Sequence, residues 1–300
     1  EQLKTIFEES AKAGTGRLCV GFKDLVTGEE VYYNGDTVFP TASVYKTFVL
    51  CELFRREKEG TFSFSDTHTL LESDKSIGSG ILELIGEGAV LSMMDYAVLM
   101  MAISDNTAAD YLYQLVGPKA IHENVFQPLG MTNTAFTLDK LENKVLANQY
   151  RFEGKDKPLT PLGAANCLIP PILKESASGG LISSVDDYMK FQEALTVDGQ
   201  LLHRNTVQLM RLDQLSGSQR DGYGYTHIGM GYGLGVRTII DQAKAGSPIG
   251  FGPFGWGGAS GSYGSIDPEN ELTIFYMQHV FDTDCLWCNN TMRNIIYTSL

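Results

Sequence analysis

"FPTASVYKTFVL", residues 39–50, places a serine and a lysine three positions apart where an apolar helical pattern begins. Val44, Phe48, Val49, Cys51 and Leu53 favour a helix, and residues i and i+3 of a helix are neighbours on one face. Ser43 and Lys46 are therefore predicted side by side. A serine at a helix start also has unpaired backbone N–H groups and the positive dipole end close by, both useful to an alkoxide or an oxyanion. Taken alone, the spacing reads first as an N-cap serine followed by a snorkelling lysine.

Working outward, "RLCVGFKDLVTGEEVYYNG" predicts an antiparallel hairpin that opens the protein, turning at Thr27-Gly28. A second hairpin is predicted in "GGASGSYGSIDPENELTIFYMQHV", with Asp267 to Asn270 as the turn and Leu272 to Tyr276 as a long buried strand. The segment from about Cys288 to Tyr297 suits a helix returning to the sheet. Helical pattern fills the interval: roughly Val44 to Glu59, Met93 to Ile103, Ala108 to Val116, and Val185 to Leu195 behind the capping candidates Ser183 and Ser184. The expected architecture is α/β, an α+β sandwich: one antiparallel sheet assembled from both chain ends, with a helical lobe inserted. Residues 1–300 read as one domain, with an α/β lobe at about 1–65 and 180–300 and a helical lobe at about 66–179. A cleft between lobes is a common place for a small-molecule site.

Composition narrows the function classes. The 23 basic and 36 acidic residues give a net charge of −13, which disfavours binding to a phosphate backbone, so nucleic acid is an unfavoured partner. No apolar run reaches the ~18 residues of a membrane span; "MDYAVLMMAI" is cut off by Ser104-Asp105-Asn106. Cys19, Cys51 and Cys167 sit in separate apolar contexts, the setting of inert buried thiols. Cys285 and Cys288 form a CxxC with no second pair at zinc-like spacing, so they read as a disulfide or as plain thiols rather than as a metal site.

Two further features have chemical potential. "MAISDNTAADYL" interrupts the most apolar region with Ser104, Asp105 and Asn106, and polar residues there need partners. "FGWGGASGSYG" carries five glycines between Gly255 and Gly264, which permit close approach of backbone to a ligand. SxxK, SDN and a glycine-rich strand occur in the order of the penicillin-recognising serine enzymes. The chain resembles the superfamily of serine β-lactamases, D-Ala-D-Ala peptidases and related carboxylesterases. "YYNGDTVFPTASVYKTFVL", "GSGIL" and "AISDNTAADYL" are similar to class A β-lactamases; "PLGMTNTAF", "SGGLISSVDDYMKF", "GYGLGV" and "FGWGGASGSYGSIDPENELTIFYMQ" are similar to class C-type proteins and their esterase relatives.

The resemblance implies a β-lactamase/transpeptidase-like fold and assigns roles. Ser43 is the implied nucleophile and Lys46 its general base, which requires an amine whose pKa has fallen by roughly 3 units. Ser104 passes a proton to the leaving group, and Asn106 holds Lys46 and the substrate amide. The N–H groups of Ser43 and Ala259 form the oxyanion hole, worth roughly 3 kcal/mol per donor in such sites. Trp256, Gly257, Gly258 and Ser260 complete the binding strand. No metal or organic cofactor is implied, and the five histidines keep a structural or surface reading. Glu142, in "LDKLE", is nominated as a deacylation base, although "NKVLANQY" lacks the proline and close asparagine of that pattern.

Trp256-Gly257-Gly258 stands where lactam-handling relatives have KTG, so the cation that attracts a substrate carboxylate is replaced by an aromatic wall. Arg237 is the nearest basic residue upstream. The substitution favours an ester, amide or peptide substrate over efficient β-lactam turnover; the alternatives are a true β-lactamase and a sensor that acylates without turnover. The resemblance implies a periplasmic or secreted protein. A start at Glu1, without methionine or apolar leader, fits a removed signal peptide and fits a cytoplasmic protein as well.

Overall fold

In the computed structural model the described residues are 2–13, 18–136, 140–141, 146–154, 157–163, 180–222, 228–246, 252–281 and 292–299. The predicted hairpins form as strands β1 (Cys19–Asp24) and β2 (Glu30–Tyr33) near one end of the chain. Toward the other end lie β3 (Met230–Tyr232), β4 (Arg237–Ile239), β5 (Phe254–Gly258), β6 (Ser262–Asp267) and β7 (Leu272–Met277). They make one sheet in the order β2-β1-β7-β6-β5-β4-β3, and every pairing is antiparallel. β1 joins the two chain ends through the register Cys19↔Met277 to Asp24↔Leu272.

Both faces of the sheet are covered, and strand alternation shows how. On β7, Leu272, Ile274 and Tyr276 enter one core with Val20, Phe22, Met292 and Ile296. Phe275 and Met277, which alternate with them, enter a larger core on the opposite face. That larger core is supplied by the central helices α2 (Lys46–Glu59), α3 (Met93–Ala102), α4 (Asn106–Val116) and α5 (Val185–Thr196).

The hairpin does not open the protein. Helix α1 (Gln2–Ala13) precedes it and buries Phe7 completely against the first core. Leu3, Ile6 and Phe7 carry the i, i+3, i+4 spacing of an amphipathic helix, a signal present in the sequence but short. The C-terminal segment is helical over 292–297 and returns to the sheet as predicted. Ser184 does occupy the N-cap of α5, but its hydroxyl donates to Asp186 instead of accepting from the helix. Among the described residues, no helix is long and apolar enough to cross a membrane. Cys19 and Cys51 are buried; Cys167, Cys285 and Cys288 lie outside the described residues.

Candidate active site

The sequence predicts Ser43 at the N-terminus of a helix that starts near Val44. Ser43 instead lies in a 3-10 turn, Ala42–Tyr45, and α2 begins only at Lys46, whose N–H donates to Ser43 O. In a 3-10 turn residues i and i+3 eclipse, so serine and lysine still share a side. The turn is locked from behind. Phe39 and Pro40 pair with Ser183 and Ile182, and Thr41 N donates to Leu181 O at 2.9 Å. Ala42 takes φ +48°, a conformation rare outside glycine, at the residue just before the nucleophile.

Ser104, Asp105 and Asn106 join α3 to α4 and face this turn. Asp105 caps α4 by accepting from Ala108 N, and its other carboxylate oxygen accepts from Ile81 N and Leu82 N. Ser104 is thereby held at φ +57°. Its Oγ lies 2.7 Å from Ser43 Oγ and 2.8 Å from Lys46 Nζ. Lys46 Nζ also donates to Ser104 O at 2.7 Å and to Asn106 Oδ1 at 3.1 Å. Among the described residues there is no direct Ser43–Lys46 hydrogen bond: Ser104 bridges the two.

Lys46 is fully buried. Burial removes the water that stabilises an ammonium ion and pulls its pKa down to about 7, while the Asp105 and Asp110 carboxylates oppose the shift. The fall of roughly 3 units that a lysine base requires agrees with this value. Asp105 and Asp110 both belong to the α4 end of the site, so one helix supplies the charge that limits the fall.

β5 delivers the other wall. Alternation puts Phe254, Trp256 and Gly258 on one side of the strand; Phe254 and Trp256 line a cavity with Thr47 and Cys51 of α2, and Gly258 meets the nucleophile turn. A Cβ on Gly258 would stand 2.9 Å from Thr41 O and 3.1 Å from the Ala42 Cβ, so glycine is what lets this strand reach the nucleophile turn. The Ser43 and Ala259 N–H groups, the expected oxyanion donors, carry no hydrogen bond among the described residues. Ser260 is fully buried and donates to Pro40 O at 3.3 Å, tying the tip of the hairpin to the nucleophile segment.

The aromatic wall expected of Trp256 is a core wall. Trp256 is 4% exposed, meets Tyr232 edge-on and has the Arg237 guanidinium 5.3 Å from its ring centroid. It borders an apolar cavity of about 30 Å³ together with Thr47, Cys51, Tyr188 and Gln192. Arg237 is thus placed on the tryptophan. Gly257 is half-buried in the same strand, and Glu142 lies outside the described residues. His279 is buried beside Cys19, His68 pairs with Asp74, and His203 caps a helix; none of these contacts reaches Ser43. His122 is exposed, and His227 lies outside the described residues.

Sequence reasoning missed Ser79. Its Oγ donates to Ser104 O at 2.6 Å. The glycines on either side, in "GSGIL", were the available signal.

The profile described as "Beta-lactamase enzyme family" matches residues 1–215. Protein Rv1367c of Mycobacterium tuberculosis is 34% identical over 184 residues, covering 57% of this chain and 44% of that protein; the match spans less than half of the relative's length. Beta-lactamase CARB-4 of Pseudomonas aeruginosa is 25% identical over 249 residues, 83% of this chain and 79% of that enzyme. The solved structure of EstCE1, a hydrolase with promiscuous acyltransferase activity, superposes with TM-score 0.72 at 16% identity, covering 99% of this chain and 97% of that one.

Proposed function

Because the chain belongs to the beta-lactamase enzyme family, we propose that it is a serine hydrolase acting on ester or amide carbonyls through an acyl-Ser43 intermediate. The observation that carries this reading is the Ser104 hydroxyl, within 2.8 Å of both the Ser43 oxygen and the Lys46 nitrogen.

Counting hydrogens gives the relay a direction. A neutral lysine amine has two N–H groups and one lone pair; the ammonium ion has three N–H groups and no acceptor. Three oxygen atoms surround Nζ, and two of them, Ser104 O and Asn106 Oδ1, can only accept. The neutral amine spends its two hydrogens on those, and its lone pair faces the Ser104 hydroxyl. Ser104 then donates to Lys46 and accepts from Ser43. As Ser43 Oγ attacks the carbonyl carbon, its proton moves to Ser104 Oγ, and the Ser104 proton moves to Nζ. In the reverse sense, Ser104 returns a proton to the leaving group as the carbon–heteroatom bond breaks. The ammonium form inverts the chain, because Ser104 then points its hydrogen at Ser43. Ser43 and Ala259 N–H groups receive the charge that develops on the carbonyl oxygen.

An acid limb in acylation is expected near pH 7, with the rate rising above it as Lys46 loses its proton. Since the Asp110 carboxylate favours the ammonium form, Asp110→Asn should move that limb to lower pH. A pH profile of the acylation rate reads this directly; a limb that stays in place would exclude the assignment to Lys46.

The absence of a lysine at position 256 supports substrates that need no carboxylate. A second reading, β-lactam hydrolysis, draws on the likeness to CARB-4 along most of the chain. Time-resolved mass spectrometry of the intact protein with p-nitrophenyl acetate and with a chromogenic cephalosporin separates the readings. A transient adduct lost in Ser43→Ala is expected with the ester. A transient cephalosporin adduct supports the second reading, a permanent adduct replaces turnover with sensing, and no adduct with either compound removes Ser43 from the chemistry.

A further inference from the structure

The segment ahead of α3 passes over the Ser104–Asn106 junction at very close range. Asn106 N donates to Ser79 O at 2.8 Å, and Asn106 Nδ2 donates to Ile77 O at 3.1 Å. Gly78 and Gly80 have φ +122° and +117°. A Cβ on Gly78 would stand 2.5 Å from Asn106 Nδ2, and one on Gly80 2.2 Å from Asp105 Oδ2. Ser79 is the residue between them with a side chain. Its hydroxyl lies 2.6 Å from Ser104 O and 3.3 Å from Asn106 Oδ1, the same two oxygens that receive Lys46.

We propose that Ser79 is a positioning residue for acyl transfer: its hydroxyl shares the two acceptors of Lys46 and so favours the two-hydrogen amine that the relay through Ser104 requires. The inference rests on the hydrolase reading above. Its physical basis is a competition. Charge-assisted bonds from an ammonium ion gain more from an unshared oxygen than do bonds from a neutral amine. A second donor on the same oxygen therefore penalises the ammonium form more. The charged groups that face Lys46 from the elements packed on it are Asp105 and Asp110, at the N-cap and in the second turn of α4, and both favour the ammonium. Ser79 opposes them from the other side of the junction. Ser79 is exposed, so its replacement leaves the core intact.

The test follows Lys46 itself. In protein carrying ¹³C-labelled lysine, the Lys46 Cε signal is assigned by its loss in Lys46→Met, then titrated by NMR in wild type, Ser79→Ala and Ser79→Thr. Acylation of Ser43 by p-nitrophenyl acetate is measured over the same pH range. In Ser79→Ala the titration midpoint and the acid limb are expected to rise together by about one pH unit, so acylation falls several-fold at pH 7 and regains the wild-type rate at pH 9. Ser79→Thr, which keeps the hydroxyl, should titrate as wild type does. A Ser79→Ala midpoint equal to wild type overturns the proposal, and so does a rate loss of equal size at every pH. The NMR midpoint decides the matter even in a protein that never acylates, so failure of the hydrolase reading and failure of this one are distinguishable.

Discussion

Lys46→Met is expected to lower the acylation rate of Ser43 by about 10⁴-fold while leaving the protein at least as stable at neutral pH. The activity loss follows from removing the base at the end of the relay, at the upper end of what one general base contributes. The stability argument runs the opposite way. Lys46 titrates at about 7 when folded and at its ordinary 10.5 when unfolded. Between those values the unfolded chain holds a proton that the folded protein lacks, so stability rises with pH across that window and is lost as pH falls toward 7. The displacement corresponds to about 5 kcal/mol of unfavourable burial when the amine is charged. Methionine fills a similar volume without that cost. Of the acceptors it abandons, Ser104 O keeps a donor in Ser79 Oγ. Urea unfolding at pH 7 and pH 9.5 should show wild type gaining stability with pH and the variant gaining less. A variant that loses several kcal/mol at pH 7 would contradict the stability half of the argument, and one that acylates within tenfold of wild type would contradict the catalytic half.

The same lysine shows what the sequence disclosed and what it withheld. The hairpins at Cys19–Tyr33 and Ser262–Met277 were legible because turn residues separate apolar runs of strand length. The central helices were legible because their apolar periodicity is long, and the short stripe of α1 was not. The resemblance brought Ser43, Lys46, Ser104 and Asn106 together in expectation, and the structure places them within one hydrogen-bonded group. Connectivity inside that group was not legible. Helical spacing predicts that Ser43 and Lys46 are neighbours, yet whether they bond directly depends on where a left-handed Ser104, 61 residues away from Ser43, puts its hydroxyl. The placement of Trp256 was not legible for a related reason. Its identity suggested a binding wall, but strand alternation turns it toward α2, where the space is core. Ser79 was quoted among matching residues and given no role, because a single hydroxyl between glycines has no periodic signature.

Ser104 can be tested in two ways that separate its backbone from its hydroxyl. Ser104→Ala keeps the Cβ and hence the penalty of φ +57°, whereas Ser104→Gly removes both Cβ and hydroxyl. Both variants should lose about 10²- to 10⁴-fold in acylation, because neither can carry a proton between Ser43 and Lys46. Their stabilities should differ: glycine is expected to be about 1 kcal/mol more stable than alanine, since it adopts the left-handed conformation without steric cost. Lys46 remains anchored in each through Ser104 O and Asn106 Oδ1, which keeps the base in place and isolates the missing link. Acylation rates with p-nitrophenyl acetate and urea midpoints for the pair supply both readings. If either variant acylates within about threefold of wild type, the proton passes directly from Ser43 to Lys46, and the 2.7 and 2.8 Å contacts of Ser104 are scaffolding for Lys46 instead of a relay.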